Sequence, residues 1–131
     1  MRRLVLLACV LPLVAGCGAT AKEALSSEII QDVPSWVQKE DLPANAVPGA
    51  KIFAVAGCTA CHTYDGAGAI NLGAPDLTAI GRRQLGIALE IRHLQCPSCA
   101  IPGSPMPTFD SLGKKRLREL AIFLEASKGT H

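Results

Sequence analysis

Cys58-Thr59-Ala60-Cys61-His62 places two thiols three residues apart, with an imidazole directly after the second. C-x-x-C-H is the attachment run of c-type haem. The spacing has a physical cause. Two thiols so placed at the end of a helix both add to the vinyl groups on one edge of a porphyrin, and the next residue presents its imidazole to the iron. Two other chemistries use the same residue types. A thioredoxin-like dithiol needs a βαβ setting, which does not surround this run. A tetrahedral zinc site would combine Cys58 and Cys61 with Cys96 and Cys99, two pairs set 38 residues apart. That is wider than usual zinc ribbons, and zinc would leave His62 and Met106 without a role.

The elements that must position these residues are helices and loops. Pro48 suits the first turn of a helix, where its missing N–H costs nothing, and Ala50, Phe53, Ala54 and Ala56 carry that helix to Gly57. Residues 63–81 are rich in Gly, Asn, Pro and Asp and read as a long loop with one helical turn after Asp76. Residues 82–94 form a second helix, with Leu85, Ala88, Leu89 and Leu94 at helical spacing. Cys96 to Pro107 is an irregular loop. Lys114 to Ser127 is a third helix, with Leu117, Leu120, Phe123 and Leu124 on one face and Lys115, Arg118 and Glu119 toward water. No strand alternation appears, so the expected class is all-α: three main helices joined by long loops. Residues 48–131 make a small domain with much loop, of a size that often relies on a staple or a prosthetic group.

The 131-residue chain is 49% hydrophobic and 18% charged, too apolar for a disordered chain. A net charge of +2 and an aromatic content of 4% give no strong nucleic-acid reading, and no nucleic-acid partner is expected. Arg2, Arg3 and the apolar run Leu4 to Val14 read as a secretory signal, too short to span a bilayer comfortably. The run closes on Val14-Ala15-Gly16-Cys17, which resembles a bacterial lipobox, where the cysteine is lipidated and the preceding peptide removed. The plainer alternatives are an ordinary cleaved signal or a retained N-terminal helix. The expected organisation is a signal peptide over 1–16, a lipidated Cys17 with an extended linker over 17–47, and a folded domain over 48–131. The chain is thus expected to be exported and anchored in a membrane, facing the periplasm or the cell exterior, where disulfides persist. Residues 18–47 carry two basic and five acidic side chains, and residues 48–131 nine and six. As a flexible coil the linker would span about 30 Å on average.

Residues 48–127 resemble a class I cytochrome c. The resemblance rests on Gly49-Ala50-Lys51-Ile52-Phe53, then Cys58-x-x-Cys61-His62, then Gly73-Ala74-Pro75-Asp76-Leu77. Gly103-Ser104-Pro105-Met106-Pro107-Thr108-Phe109 follows, and last a terminal helix with Leu120 and Phe123-Leu124. It implies the cytochrome c fold around one covalently bound haem c, held by Cys58 and Cys61. It implies His62 as proximal iron ligand, the Pro75 carbonyl as acceptor for its other ring nitrogen, and Met106 as distal ligand. Beside the initiating Met1, Met106 is the only methionine; His93 and His131 are the alternative ligands. In the family the first and last helices cross closely, a small residue facing an aromatic, which here means Gly49 with Phe53 and Phe123. Tyr64, Arg82 and Arg83 are candidates for the haem propionates, the plainer reading of the arginines being a solvated helix start.

Cys96 and Cys99 are not explained by the resemblance. Ala100 stands where a second haem motif would need His. With Cys17, Cys58 and Cys61 assigned and the compartment oxidising, a Cys96–Cys99 disulfide that stiffens the Met106 loop is expected. A redox-active pair that tunes or gates the haem, free thiols and metal ligands are the alternatives.

The functional expectation is a membrane-tethered electron carrier, not an enzyme, passing single electrons between donor and acceptor proteins. A haem c subunit of a larger membrane oxidoreductase is the alternative, and a haem-based sensor a third reading.

Overall fold

The computed structural model describes residues 42–129. The signal, Cys17, the linker up to position 41 and His131 lie outside the described residues. Among the described residues four α-helices follow in order: α1 (Val47–Val55), α2 (Ile87–Gln95), α3 (Pro97–Ala100) and α4 (Gly113–Ala126). Single 3₁₀ turns cover Cys58–Ala60, Ile80–Arg83 and Asp110–Leu112.

Three differences from the sequence reading stand out. A short antiparallel ribbon, β1 (Thr63–Tyr64) with β2 (Ala67–Gly68), lies inside the expected loop, pairing Thr63 with Gly68 and Tyr64 with Ala67. Asp65 and Gly66 turn it with φ of 46° and 75°, the backbone that tight hairpins favour. Second, the helix expected over 82–94 begins only at Ile87. The stretch before it is a 3₁₀ turn ending on Gln84 in the left-handed region, and Gly86 has a φ of 85°, so no α-helix runs through it. Third, the expected loop after Cys96 contains α3, with Pro97 in its first turn.

The core forms where α1 packs across α4, the largest contact between elements, with α2 on α4 next. Gly49 makes the crossing possible. A Cβ there would lie 2.0 Å from the Glu119 carbonyl oxygen and 2.6 Å from Phe123 Cβ, so only hydrogen fits. Phe53, Tyr64 and Phe123 are fully buried around this point. Their ring centroids are 5.0 to 5.5 Å apart and the rings tilted, within the range aromatic pairs prefer. The Tyr64 hydroxyl donates to Ser127 Oγ at 2.8 Å, and Ser127 Oγ donates to the Phe123 carbonyl at 2.8 Å, so the buried polar atoms at the end of α4 are satisfied. Leu117, Leu120, Phe123 and Leu124 are buried as their spacing indicates. Ala46 is also buried and Leu42 packs against the core, so packing starts ahead of Pro48.

α2 departs from its expected face. Leu94 and Glu90 are buried, whereas Leu85 and Leu89 remain 37% and 41% exposed. Ile91 packs against the core beside Leu94. The helix therefore turns its Glu90, Ile91 and Leu94 side inward and carries a second apolar side facing outward.

Candidate haem site

α1 ends at Val55, and Gly57, at φ 85°, turns the chain away from the helix axis. The turn starts the 3₁₀ segment that carries the motif, and His62 N–H donates to the Cys58 carbonyl at 2.9 Å. The two thiols are free, Cys58 buried and Cys61 half-buried. Burial pushes the Cys58 thiol up to about 12.

His62 Nδ1 lies 2.8 Å from the Pro75 carbonyl oxygen. A carbonyl only accepts, so Nδ1 carries the proton and the Nε2 lone pair is left for a metal. The structure also shows what holds Pro75 in place, which the sequence reading missed. Thr63 Oγ1 donates to Asp76 Oδ2 at 2.5 Å, and Asp65 N–H donates to Thr78 Oγ1 at 2.8 Å. Together with His62–Pro75, these bonds link residues at a constant offset of 13. Leu77 N–H donates to the Thr63 carbonyl at 2.9 Å, and Thr78 N–H to Asp76 Oδ1 at 2.8 Å. The segment after the motif is thus laced side by side to the segment around Pro75. Desolvation opposes ionisation of Asp76, but the hydrogen bonds from Thr63 and Thr78 together outweigh it and hold the carboxyl below its ordinary value. Thr63 and Asp76, each one residue past a site residue, were the available signal.

Met106 is partly buried and packs against the core cluster; its N–H donates to Ser104 Oγ at 3.3 Å. Its loop is closed by Phe109 N–H to the Leu94 carbonyl, 2.9 Å, and by Gln95 Nε2 to Asp110 Oδ1, 3.0 Å. Within that loop Cys96 and Cys99 are joined by a disulfide. His93 is half-buried on α2. Burial, then the charges of Arg83 and His62, keep its imidazole below its ordinary value. Tyr64 and Arg82 are taken up elsewhere: the Tyr64 hydroxyl inside the core, and Arg82 Nε by the Lys128 carbonyl. Both arginines of that turn are exposed, and Arg82 is the one tied to the end of α4.

The sequence model of the cytochrome c family matches residues 46–128, more than half of the chain. The chain belongs to the cytochrome c family. It is an electron-transfer haem protein with covalently bound haem c. No curated protein and no solved structure matches it. The residues present suit the haem group of this cytochrome. Two free thiols precede an imidazole oriented through Nδ1, and a thioether stands in a separate loop. A porphyrin also needs apolar surface, and Ile70, Leu72, Leu85, Leu89 and Ile101 are exposed. Ile70 and Leu72 lie in a stretch tied back to the motif by Ala69 N–H to the Thr59 carbonyl and Asn71 N–H to the Cys61 carbonyl, 3.0 and 3.1 Å. Leu89 belongs to the outward apolar side of α2. The zinc alternative does not suit the geometry: Cys96 and Cys99 are bonded to each other, and no group of three His, Cys, Asp or Glu among the described residues is placed to hold a metal.

Proposed function

We propose that this cytochrome is a class I, His/Met-ligated, monohaem electron carrier tethered to a membrane through a lipidated Cys17. It would pass single electrons between donor and acceptor proteins on the periplasmic or outer face. The observation that carries the reading is the His62 Nδ1 to Pro75 carbonyl bond, set directly after two free thiols. It is the bond a metal-binding imidazole makes with its other nitrogen.

Bound haem supplies an iron that takes up and returns one electron. The chain's own residues do the rest. Cys58 and Cys61 fix the group by thioether bonds, so it is retained when the protein unfolds. The Pro75 carbonyl sets the His62 tautomer and ring orientation. Met106 supplies a soft thioether, which favours the reduced iron and raises the potential relative to two imidazoles. With His62 and Met106 both available to hold the iron, the bound group would have no site open for oxygen or peroxide, which supports a carrier over an oxygen-activating enzyme. The excess of basic side chains in residues 48–131 gives a mild preference for acidic partners. The linker keeps the domain at high local concentration near membrane partners. Among the described residues no helix is long and apolar enough to cross a membrane; the tether in this reading is the lipid on Cys17.

The test is the ferric spectrum of the full-length protein at neutral pH. The near-infrared Met–iron charge-transfer band is expected, and its absence overturns the His/Met carrier reading. Acidified organic solvent should leave the haem on the polypeptide; free extraction overturns covalent attachment.

A further inference from the structure

The loop between α2 and the 3₁₀ turn at Asp110 is closed at its neck by the Leu94–Phe109 and Gln95–Asp110 hydrogen bonds. The Cys96–Cys99 disulfide adds nothing to that closure, because both cysteines lie on the same side of the loop, three residues apart. A ring this small also removes little entropy from the unfolded chain compared with a longer loop. Stabilisation is therefore a weak reason for the bond to be here.

Its chemistry and position are a better one. The spacing is C-x-x-C, the spacing of dithiols that cycle. Cys99 is exposed and Cys96 half-buried, so an incoming thiolate reaches Cys99 Sγ first. Ser98 Oγ stands 3.9 Å from Cys96 Sγ, close to the sulfur that would leave. A series of hydrogen bonds then runs from the bridged turn to Met106. Ile101 N–H donates to the Pro97 carbonyl at 2.8 Å, Ser104 N–H to the Ile101 carbonyl at 3.0 Å, and Met106 N–H to Ser104 Oγ at 3.3 Å.

We propose that Cys96–Cys99 is a thiol–disulfide exchange site for a dithiol protein, and that its state sets how firmly Met106 holds the iron. The second half rests on the His/Met reading above. In the exchange, one partner thiolate attacks Cys99 Sγ and forms a mixed disulfide, while the Cys96–Cys99 bond breaks. Cys96 leaves as thiolate and takes a proton. The partner's second thiol, losing its proton, attacks the partner sulfur of the mixed disulfide and releases Cys99, which is protonated in turn. Two electrons and two protons move: the partner dithiol becomes a disulfide, and Cys96 and Cys99 become thiols.

The experiment uses the folded, haem-loaded protein. It is treated with dithiothreitol without denaturant, trapped with N-ethylmaleimide, and reoxidised at the haem with ferricyanide. Mass spectrometry should find two added maleimide groups, at Cys96 and Cys99. Imidazole, titrated while the Met–iron band is followed, should bind roughly tenfold more tightly than to the untreated protein, because apparent affinity rises with the fraction of Met106 off the iron. The Cys96→Ser/Cys99→Ser variant should show the same tighter binding. A bond that dithiothreitol reduces only after denaturation overturns the exchange site. Reduction with unchanged imidazole affinity, in the treated protein and in the double variant, overturns the link to Met106. A wild-type protein with no Met–iron band overturns the His/Met reading and the link with it, whereas a band present and unmoved overturns this proposal alone.

Discussion

Gly49→Ala tests the crossing on which the rest of the domain is built. The added Cβ would sit 2.0 Å from the Glu119 carbonyl oxygen, which is 1.4 Å inside the 3.4 Å where ordinary contact begins. The next atom it meets, Phe123 Cβ at 2.6 Å, is equally fixed. Neither is the far end of a flexible side chain, so α1 and α4 must separate, and the Phe53–Phe123 pair, now 5.4 Å between centroids, loosens with them. Overpacking of this kind costs about 1–3 kcal/mol, occasionally more. Alanine's better helix propensity returns at most about 1 kcal/mol, and the clash lies at the upper end. The expected net loss is about 2 kcal/mol. For a domain of this size that lowers Tm by about 8–16 °C. Guanidinium unfolding of the ferric holoprotein is the assay, with an unchanged m-value showing that the folded state alone has been affected. Trimming Phe123 to Leu should not rescue the variant, since its Cβ and the Glu119 carbonyl remain. A Gly49→Ala protein as stable as the wild type, or more so, refutes the reasoning.

Met106→Ala should keep its haem through denaturation while losing the Met–iron band and lowering the potential; an unchanged spectrum removes Met106 as a ligand. Glu90 is buried, with Oε1 making no hydrogen bond. Desolvation first, then Glu125, raises its pKa, partly offset by Arg83. A raised carboxyl costs stability as pH climbs from the unfolded value through the folded one. Glu90→Gln should therefore stabilise by about 1 kcal/mol at pH 7, with the gain fading in acid; a loss at pH 7 contradicts this. Asp76 has the opposite sign. Its lowered pKa contributes stability that is present above the ordinary carboxylate value and lost as pH falls through the folded one. Asp76→Ala should thus be less stable at neutral pH and converge on the wild type in acid, as followed by urea midpoints at each pH. Cys17→Ser should move the protein to the soluble fraction or block its processing, because stable anchoring takes more than one acyl chain; retention in the membrane at unchanged mass rules out lipidation.

Residue types and spacing alone determined the chemistry here. Cys58, Cys61 and His62 are adjacent in the chain, so the attachment run is complete before any folding, and a scarcity of thioethers pointed to Met106. The terminal helix was legible because Leu117, Leu120, Phe123 and Leu124 fall on one face at helical spacing over about two turns. The ribbon at Thr63–Gly68 was not, because strands of two residues have no alternation to read, and only Asp65-Gly66 marks it. The burial of α2 was only partly legible. Of the apolar series Leu85, Leu89 and Leu94, the protein core takes Leu94 and adds Glu90, leaving Leu85 and Leu89 exposed; which side of a helix turns inward depends on what packs against it. The lacing of Thr63, Asp65, Asp76 and Thr78 beside the His62–Pro75 bond was decided by tertiary structure alone. Its partners lie 13 residues apart across a loop, and hydrogen bonds between irregular segments follow no sequence period. They form only when the backbone has already brought the two stretches side by side.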